Sequence, residues 1–212
     1  MSTFTFGQRD SLQLGDRYAE DQLYFSMSYA QLYNQPSVIS RSTFSYALSA
    51  GFMKDLILTD QGNVSLAFGV GYGFEYFNHS LKVSDISSTI VFDSFSDGQS
   101  GIFKSQNIEF PIELRWRTSN AKKYKFWRIY PGIKFLYNLS HEFITESNSS
   151  SISVKNISEF NNFQYGLTLS VGYDLVNFNI FYGLTPLFDR ATLNEESINR
   201  SIVKLGLTFY LL

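Results

Sequence analysis

Between Val64 and Tyr76 every even-numbered residue is bulky and apolar or aromatic, and every odd one is Ser, Ala, Gly or, at the end, Glu75. Successive side chains of a strand point to opposite faces, so this stretch predicts one strand with a greasy face and a small-residue face. It is about twice the length of a common soluble strand and long enough to cross a bilayer at a tilt. The alternation recurs over residues 23–30, 44–52, 107–117, 127–139, 163–173, 176–185 and 203–211, which gives eight predicted strands.

The connections alternate in length. Short turns are expected after the second, fourth and sixth strands, at Gln61-Gly62-Asn63, 119–123 and Asp174-Leu175. Longer polar loops are expected after the third, fifth and seventh, at Val83–Gly101, Phe143–Ser158 and Asp189–Asn199; the connection after the first, near Asn34-Gln35-Pro36-Ser37, is short. Short turns at one end and long loops at the other is the outer-membrane pattern. The fold expected is all-β, an eight-stranded antiparallel up-and-down transmembrane β-barrel over residues 22–212, with both termini periplasmic. A soluble barrel alternates too, with its bulky face inward. It would then show Ser, Ala and Gly to water, which is poor surface chemistry. Aromatics at the ends of the greasy faces, such as Trp116, Trp127, Tyr137 and Tyr173, fit interfacial girdles. The lipid-facing aromatic set is therefore Phe68, Tyr72, Trp116, Trp127, Phe135, Tyr165, Phe178 and Phe209.

Composition agrees with this assignment. Aromatic residues make up 17% of the 212, cysteine is absent, and 17 basic residues nearly balance 19 acidic ones, so there is no general nucleic-acid footprint. No run of 18 apolar residues suggests a transmembrane helix. Residues 1–8 read as the remnant of a signal peptide, and 9–21 as a polar periplasmic segment.

The inward set includes Glu75, Glu109, Glu113, Arg115, Arg117, Arg128, Lys134 and Lys204. In an eight-stranded barrel side chains fill the interior, so these charges are expected to pair and plug it rather than line a pore. Pro111 and Pro131 interrupt good strands and should each mark a bulge or a local edge. His79 and His141 lie near outer strand ends beside Ser80, Ser140 and Glu142, a grouping that invites comparison with Ser-His-acid lipid hydrolases. Their spacing matches no such motif, and parity turns His79 inward but His141 outward, so they are read as ordinary interface histidines. Asn78, Asn138, Asn148 and Asn156 each open an Asn-x-Ser triplet, read as polar loop and strand-end chemistry. No metal cluster or cofactor motif is expected, and the chain is read as non-enzymatic.

Two stretches carry more than periodicity. One is Arg115-Trp116-Arg117-Thr118-Ser119 with Tyr124-Lys125-Phe126-Trp127-Arg128-Ile129-Tyr130 and Gly132-Ile133-Lys134. The other is Phe160-Asn161-Asn162-Phe163-Gln164-Tyr165-Gly166-Leu167-Thr168, with Asn177-Phe178 and Tyr182-Gly183-Leu184-Thr185-Pro186-Leu187-Phe188. Together, from about Tyr18 to the C-terminus, they resemble the PorT family of small outer-membrane barrels of Bacteroidota. The resemblance implies a role linked to type IX secretion and, in some species, gliding motility, with no catalytic residues. It makes the first expectation a partner-binding accessory or scaffold subunit of the type IX translocon, in contact with outer-membrane lipid and with other translocon proteins. The alternatives are a stand-alone small barrel, as narrow pore or envelope-structural protein, and, more remotely, a lipid-modifying hydrolase.

Overall fold

The computed structural model describes residues 21–33, 44–60, 62–86, 89–95, 101–118, 127–147, 150–189, 191–193 and 196–211. Thirteen strands follow one another: β1 (Gln22–Tyr33), β2 (Tyr46–Ile57), β3 (Val64–His79), β4 (Leu81–Ile86), β5 (Thr89–Ser94), β6 (Gly101–Arg117), β7 (Trp127–Ser147), β8 (Ser150–Lys155), β9 (Phe163–Tyr173), β10 (Val176–Gly183), β11 (Thr192–Leu193), β12 (Glu196–Ser197) and β13 (Ser201–Leu211). Eight of them, β1, β2, β3, β6, β7, β9, β10 and β13, close an antiparallel barrel in which each pairs with the next along the chain. β13 returns to β1 from Leu23↔Leu211 to Tyr33↔Ser201, so no edge is left in the ring. The expected signal remnant (1–8), the segment 9–20, and the connections near 34–37 and 119–123 lie outside the described residues.

One end of the barrel is built from tight turns. β9 and β10 are joined by Asp174-Leu175, with Tyr173 opposite Val176 and Asp174 at φ 58°, a left-handed conformation that an Asp side chain tolerates. Between β2 and β3, Thr59 Oγ1 donates to Asn63 Oδ1 (2.7 Å) and Gly62 takes φ 71°.

The other end is built from hairpins, and here the sequence expectation needs correcting. The three long polar loops all carry β-structure. β4 and β5 pair from Leu81↔Ser94 to Ile86↔Thr89. β7 runs on to Ser147 and turns back as β8, from Glu142↔Lys155 to Ser147↔Ser150. β11 and β12 form a two-residue ladder. With 17 and 21 residues, β6 and β7 are far longer than the 8-residue β10.

Of the two outcomes expected at the prolines, the structure shows the local edge and not the bulge. The β3–β6 pairing lapses around Pro111 but resumes in the same register, Phe68↔Ile112 before and Gly71↔Glu109 after. β6–β7 likewise keeps its register across Pro131, from Glu113↔Gly132 to Trp116↔Ile129. A missing N–H therefore opens one ladder at each site without shifting it. The real bulge is in β7, where Asn107 faces Asn138 and Gln106 faces Ser140, leaving Leu139 as the extra residue. The bulge resets which residues of β7 face in: Leu136 and Asn138 are buried before it, His141 and Phe143 after it. His141 thus points inward, contrary to strict parity.

The outer wall is apolar. Leu23, Phe25, Met27, Phe68, Tyr72, Phe110, Trp116, Trp127, Leu169, Phe178 and Leu207 are among many large side chains exposed on it. Such a wall is stable only against hydrocarbon. The inner wall is small where something must lie against it. A Cβ at Gly71 would sit 2.1 Å from the Tyr24 hydroxyl oxygen, and one at Gly73 would sit 2.7 Å from Glu109 Oε1. The Ser/Ala/Gly face of β3 makes room for side chains that fill the lumen.

Candidate functional site

The interior is layered, and the layers follow from which inward positions each strand supplies. At the turn end, Asp55 of β2 receives two guanidinium groups from β6: Arg115 Nη1 at 2.7 Å on one oxygen and Arg117 Nη1 at 2.8 Å on the other. Arg115 Nε also donates to Glu113 at 3.0 Å, and Arg117 Nε donates to the Gly62 carbonyl at 2.8 Å. Arg128 donates to the Asp174 carbonyl. Asp55, Arg115 and Arg117 are fully buried, so each charge depends on its partners for what water would otherwise supply.

Above them, the Arg115 guanidinium lies 4.9 Å from the Tyr130 ring centre and 5.4 Å from that of Tyr210. The Tyr210 hydroxyl donates to Glu113 at 3.2 Å. The next layer pairs Glu109 with Lys134 at 2.7 Å, with the Tyr24 hydroxyl donating to the same carboxylate at 3.2 Å. The last charged layer is the Glu75–Lys204 ion pair, its ammonium 4.8 Å from the Phe181 ring centre. Between these layers are two small cavities of about 10 Å³ each, room for one water apiece.

Among the described residues the hairpin end carries no such ion pairs inside. Phe77 and Phe103 stack at 5.7 Å, Phe103 and Phe143 at 4.7 Å, and Phe143 and Phe188 at 5.9 Å. Leu81 and Val83 of β4 join this apolar cluster, and Phe92 of β5 meets Phe188 edge-on at 5.4 Å. Phe160 and Phe188 form an isolated β-bridge that ties the segments after β8 and β10 together. The cluster caps the barrel above the charged layers.

Both histidines sit in this cap, at the level where the outer wall turns polar, beyond Tyr76 and Leu139. His141 is fully partnered: Nε2 accepts the Ile157 N–H (2.9 Å), which leaves Nδ1 protonated and donating to Asn138 Oδ1 (2.8 Å), with its ring stacked on Phe160 at 4.0 Å. Burial lowers it to about 4. His79 accepts the Leu81 N–H on Nδ1 at 3.0 Å. Burial, reinforced by the charge of Arg200, lowers it to about 3. Both are neutral imidazoles at pH 7.

All the charges read from the sequence as inward, Glu75, Glu109, Glu113, Arg115, Arg117, Arg128, Lys134 and Lys204, lie inside, in separate layers rather than one network. Phe68, Tyr72, Trp116, Trp127, Tyr165 and Phe178 are exposed on the outer wall. Phe135 and Phe209 are half-covered there, Phe135 by Phe163 and Tyr165 at 6.0 and 6.2 Å. Sequence reasoning missed Asp55, because the second strand was ended at Phe52. Continuing the alternation through Met53 would have placed Asp55 inward. It also passed over Tyr24, Tyr130 and Tyr210, which stood in the inward register as large residues among small ones. Arg200 fell between the expected loop at Asp189–Asn199 and the last expected strand at 203–211 and gave no signal.

Comparison with curated proteins gives no match. Residues 6–189, most of the chain, match the family described as an outer membrane protein beta-barrel domain. An apolar outer wall and a closed antiparallel ring agree with that match, and the chain belongs to the outer-membrane β-barrel domain family.

Proposed function

We propose that this outer-membrane barrel is a non-catalytic accessory or scaffold subunit of the type IX protein secretion machinery, holding protein partners through its lipid-facing wall, its hairpins or its N-terminal segment. The observation that carries the scaffold reading is the filled lumen. Three layers of paired charge and an aromatic cap leave cavities for single waters, so the barrel offers surface rather than passage. The assignment to type IX secretion draws on the resemblance of the Arg115–Lys134 and Phe160–Phe188 stretches to the PorT family. With both termini periplasmic, the hairpin end faces the cell exterior and the turn end the periplasm.

The non-catalytic reading is supported by the surroundings of the histidines. His141 spends both ring nitrogens on Asn138 and Ile157, and His79 is enclosed by Phe103 and Phe143, at 6.4 and 6.1 Å. Among the described residues neither makes a hydrogen bond to a serine.

The test is affinity purification of the tagged protein from its native outer membrane in mild detergent, with identification of what accompanies it. Stoichiometric recovery of a very large outer-membrane barrel and other secretion components is the expected result. Recovery of a lone, heat-modifiable monomer overturns the scaffold reading in favour of a stand-alone envelope barrel.

A further inference from the structure

His79 and Arg200 share the barrel's cap, and both hold hydrogen-bond donors with nothing to receive them. Arg200 is 1% exposed, and its Nε and Nη2 have no hydrogen-bond partner. Among the described residues no carboxylate offsets it, and burial alone lowers its pKa, to about 10. His79 accepts on Nδ1, so its proton is on Nε2, and Nε2 is likewise buried and unpartnered. The contrast with the rest of the molecule is sharp: Arg115 and Arg117, equally buried, have Asp55 and Glu113. A buried guanidinium without a counter-charge is costly, and a fold that supplies carboxylates to Arg115 and Arg117 has left this one open. The unfilled chemistry is all of one kind, N–H donors carrying one positive charge.

We propose that Arg200 and His79 form a binding site, inside the hairpin-end cap, for a small oxyanion of the phosphate or carboxylate type. The guanidinium supplies the charge and a planar pair of donors suited to two oxygens of one group. The neutral imidazole adds a donor from its Nε2–H without adding charge. The aromatic rings around them exclude water and strengthen each hydrogen bond. Phosphate could arrive as a free solute or as the headgroup of a lipid, and the recognition chemistry is the same.

The experiment is a thermal-unfolding series on the full chain in uncharged detergent at constant ionic strength, replacing chloride by inorganic phosphate, with a parallel series adding a phosphate-headed lipid to the micelles. For the wild type, the melting temperature should rise by about 5–10 °C once the anion exceeds its Kd about a hundredfold. A rise with inorganic phosphate assigns the site to a free solute; a rise with the lipid alone assigns it to a headgroup. Arg200→Met should melt no lower than wild type in chloride, since a buried unpaired charge has been removed, and should lose the response. Arg200→Lys should keep a weaker one, and His79→Phe should shift the midpoint several-fold. A flat wild-type response to both probes overturns the proposal. So does a response undiminished in Arg200→Met, or a lower melting temperature of that variant in chloride, which would mean that the cation is paired within the chain. Phosphorus NMR line broadening of inorganic phosphate reads binding directly: it should be present with the wild type and weaker with Arg200→Lys, and broadening equal in the two overturns the proposal.

Discussion

The two halves of the interior are filled by opposite means. Toward the turn end the lumen is packed with ions that neutralise one another, and some of them tie strands that are not neighbours in the ring: Asp55 of β2 to Arg115 and Arg117 of β6, Glu75 of β3 to Lys204 of β13. Toward the hairpin end it is packed with rings that need no partner of defined charge, only shape. The ionic half sits within the lipid belt, where the eight strands of the closed ring pair all the way round. The aromatic half is assembled from hairpins, which have few long-range ladders and depend on one another for burial. The first is specific and unforgiving, the second tolerant and separable.

That contrast can be broken most forcefully at Asp55. Asp55→Ala removes the carboxylate that two buried guanidinium groups share and should cost about 3–5 kcal/mol, seen as loss of heat-modifiable barrel on gels and a lower urea midpoint. Unchanged unfolding would mean that the ionic layer is not structural. The next largest effect should come from acid. The folded values of His141 and His79, about 4 and 3, lie below the unfolded value of about 6.5, so the unfolded cap binds more protons as pH falls. Stability present above pH 6.5 should therefore be lost progressively down to pH 4, by up to about 2 kcal/mol per histidine at pH 5. Tryptic cleavage at Lys155, in the cap, should accelerate while the barrel itself stays heat-modifiable. Phe103→Ala should cost about 3 kcal/mol, confined to the cap, as faster hydrogen exchange at Phe143 and Ile157 with the lumen amides unaffected. The smallest effect belongs to the surface pair Lys155–Glu142 (3.3 Å): Lys155→Ala should change stability by less than about 1 kcal/mol. A larger change there would show that the cap, too, relies on ion pairing.

The sequence carried the ring and much of its filling, and the reasons for what it hid are local. The strand Phe163–Tyr173 was legible at both ends, because alternation begins sharply after Asn161-Asn162 and stops at the Asp174-Leu175 turn. β2 was cut short because Lys54, an outward residue bonded to Asp21, looks like the end of an apolar run. The bulge at Leu139 has no Gly or Pro to announce it, so the inward turn of His141 follows only from its pairing with β6. The hairpins β4–β5 and β7–β8 were hidden by Ser and Asp, which read as loop chemistry although the interleaved Val and Ile favour strands.

The unequal strands have a consequence for how the molecule moves. At about 3.3 Å per residue and a tilt near 40°, the 21 residues of β7 rise roughly 50 Å, about twice the height of a typical apolar band. β10, at 8 residues, rises roughly 20 Å, a little less than that band. The barrel is therefore a cylinder with one tall sector, formed by β6, β7 and β8, and its circumference has a front. A neighbour that grips the tall sector would halt the molecule's spinning about the membrane normal, whereas one touching the β10 side would meet only the belt. Measured by polarised fluorescence from a rigid label on the turn end, the rate of that rotation would report which side of the barrel is engaged.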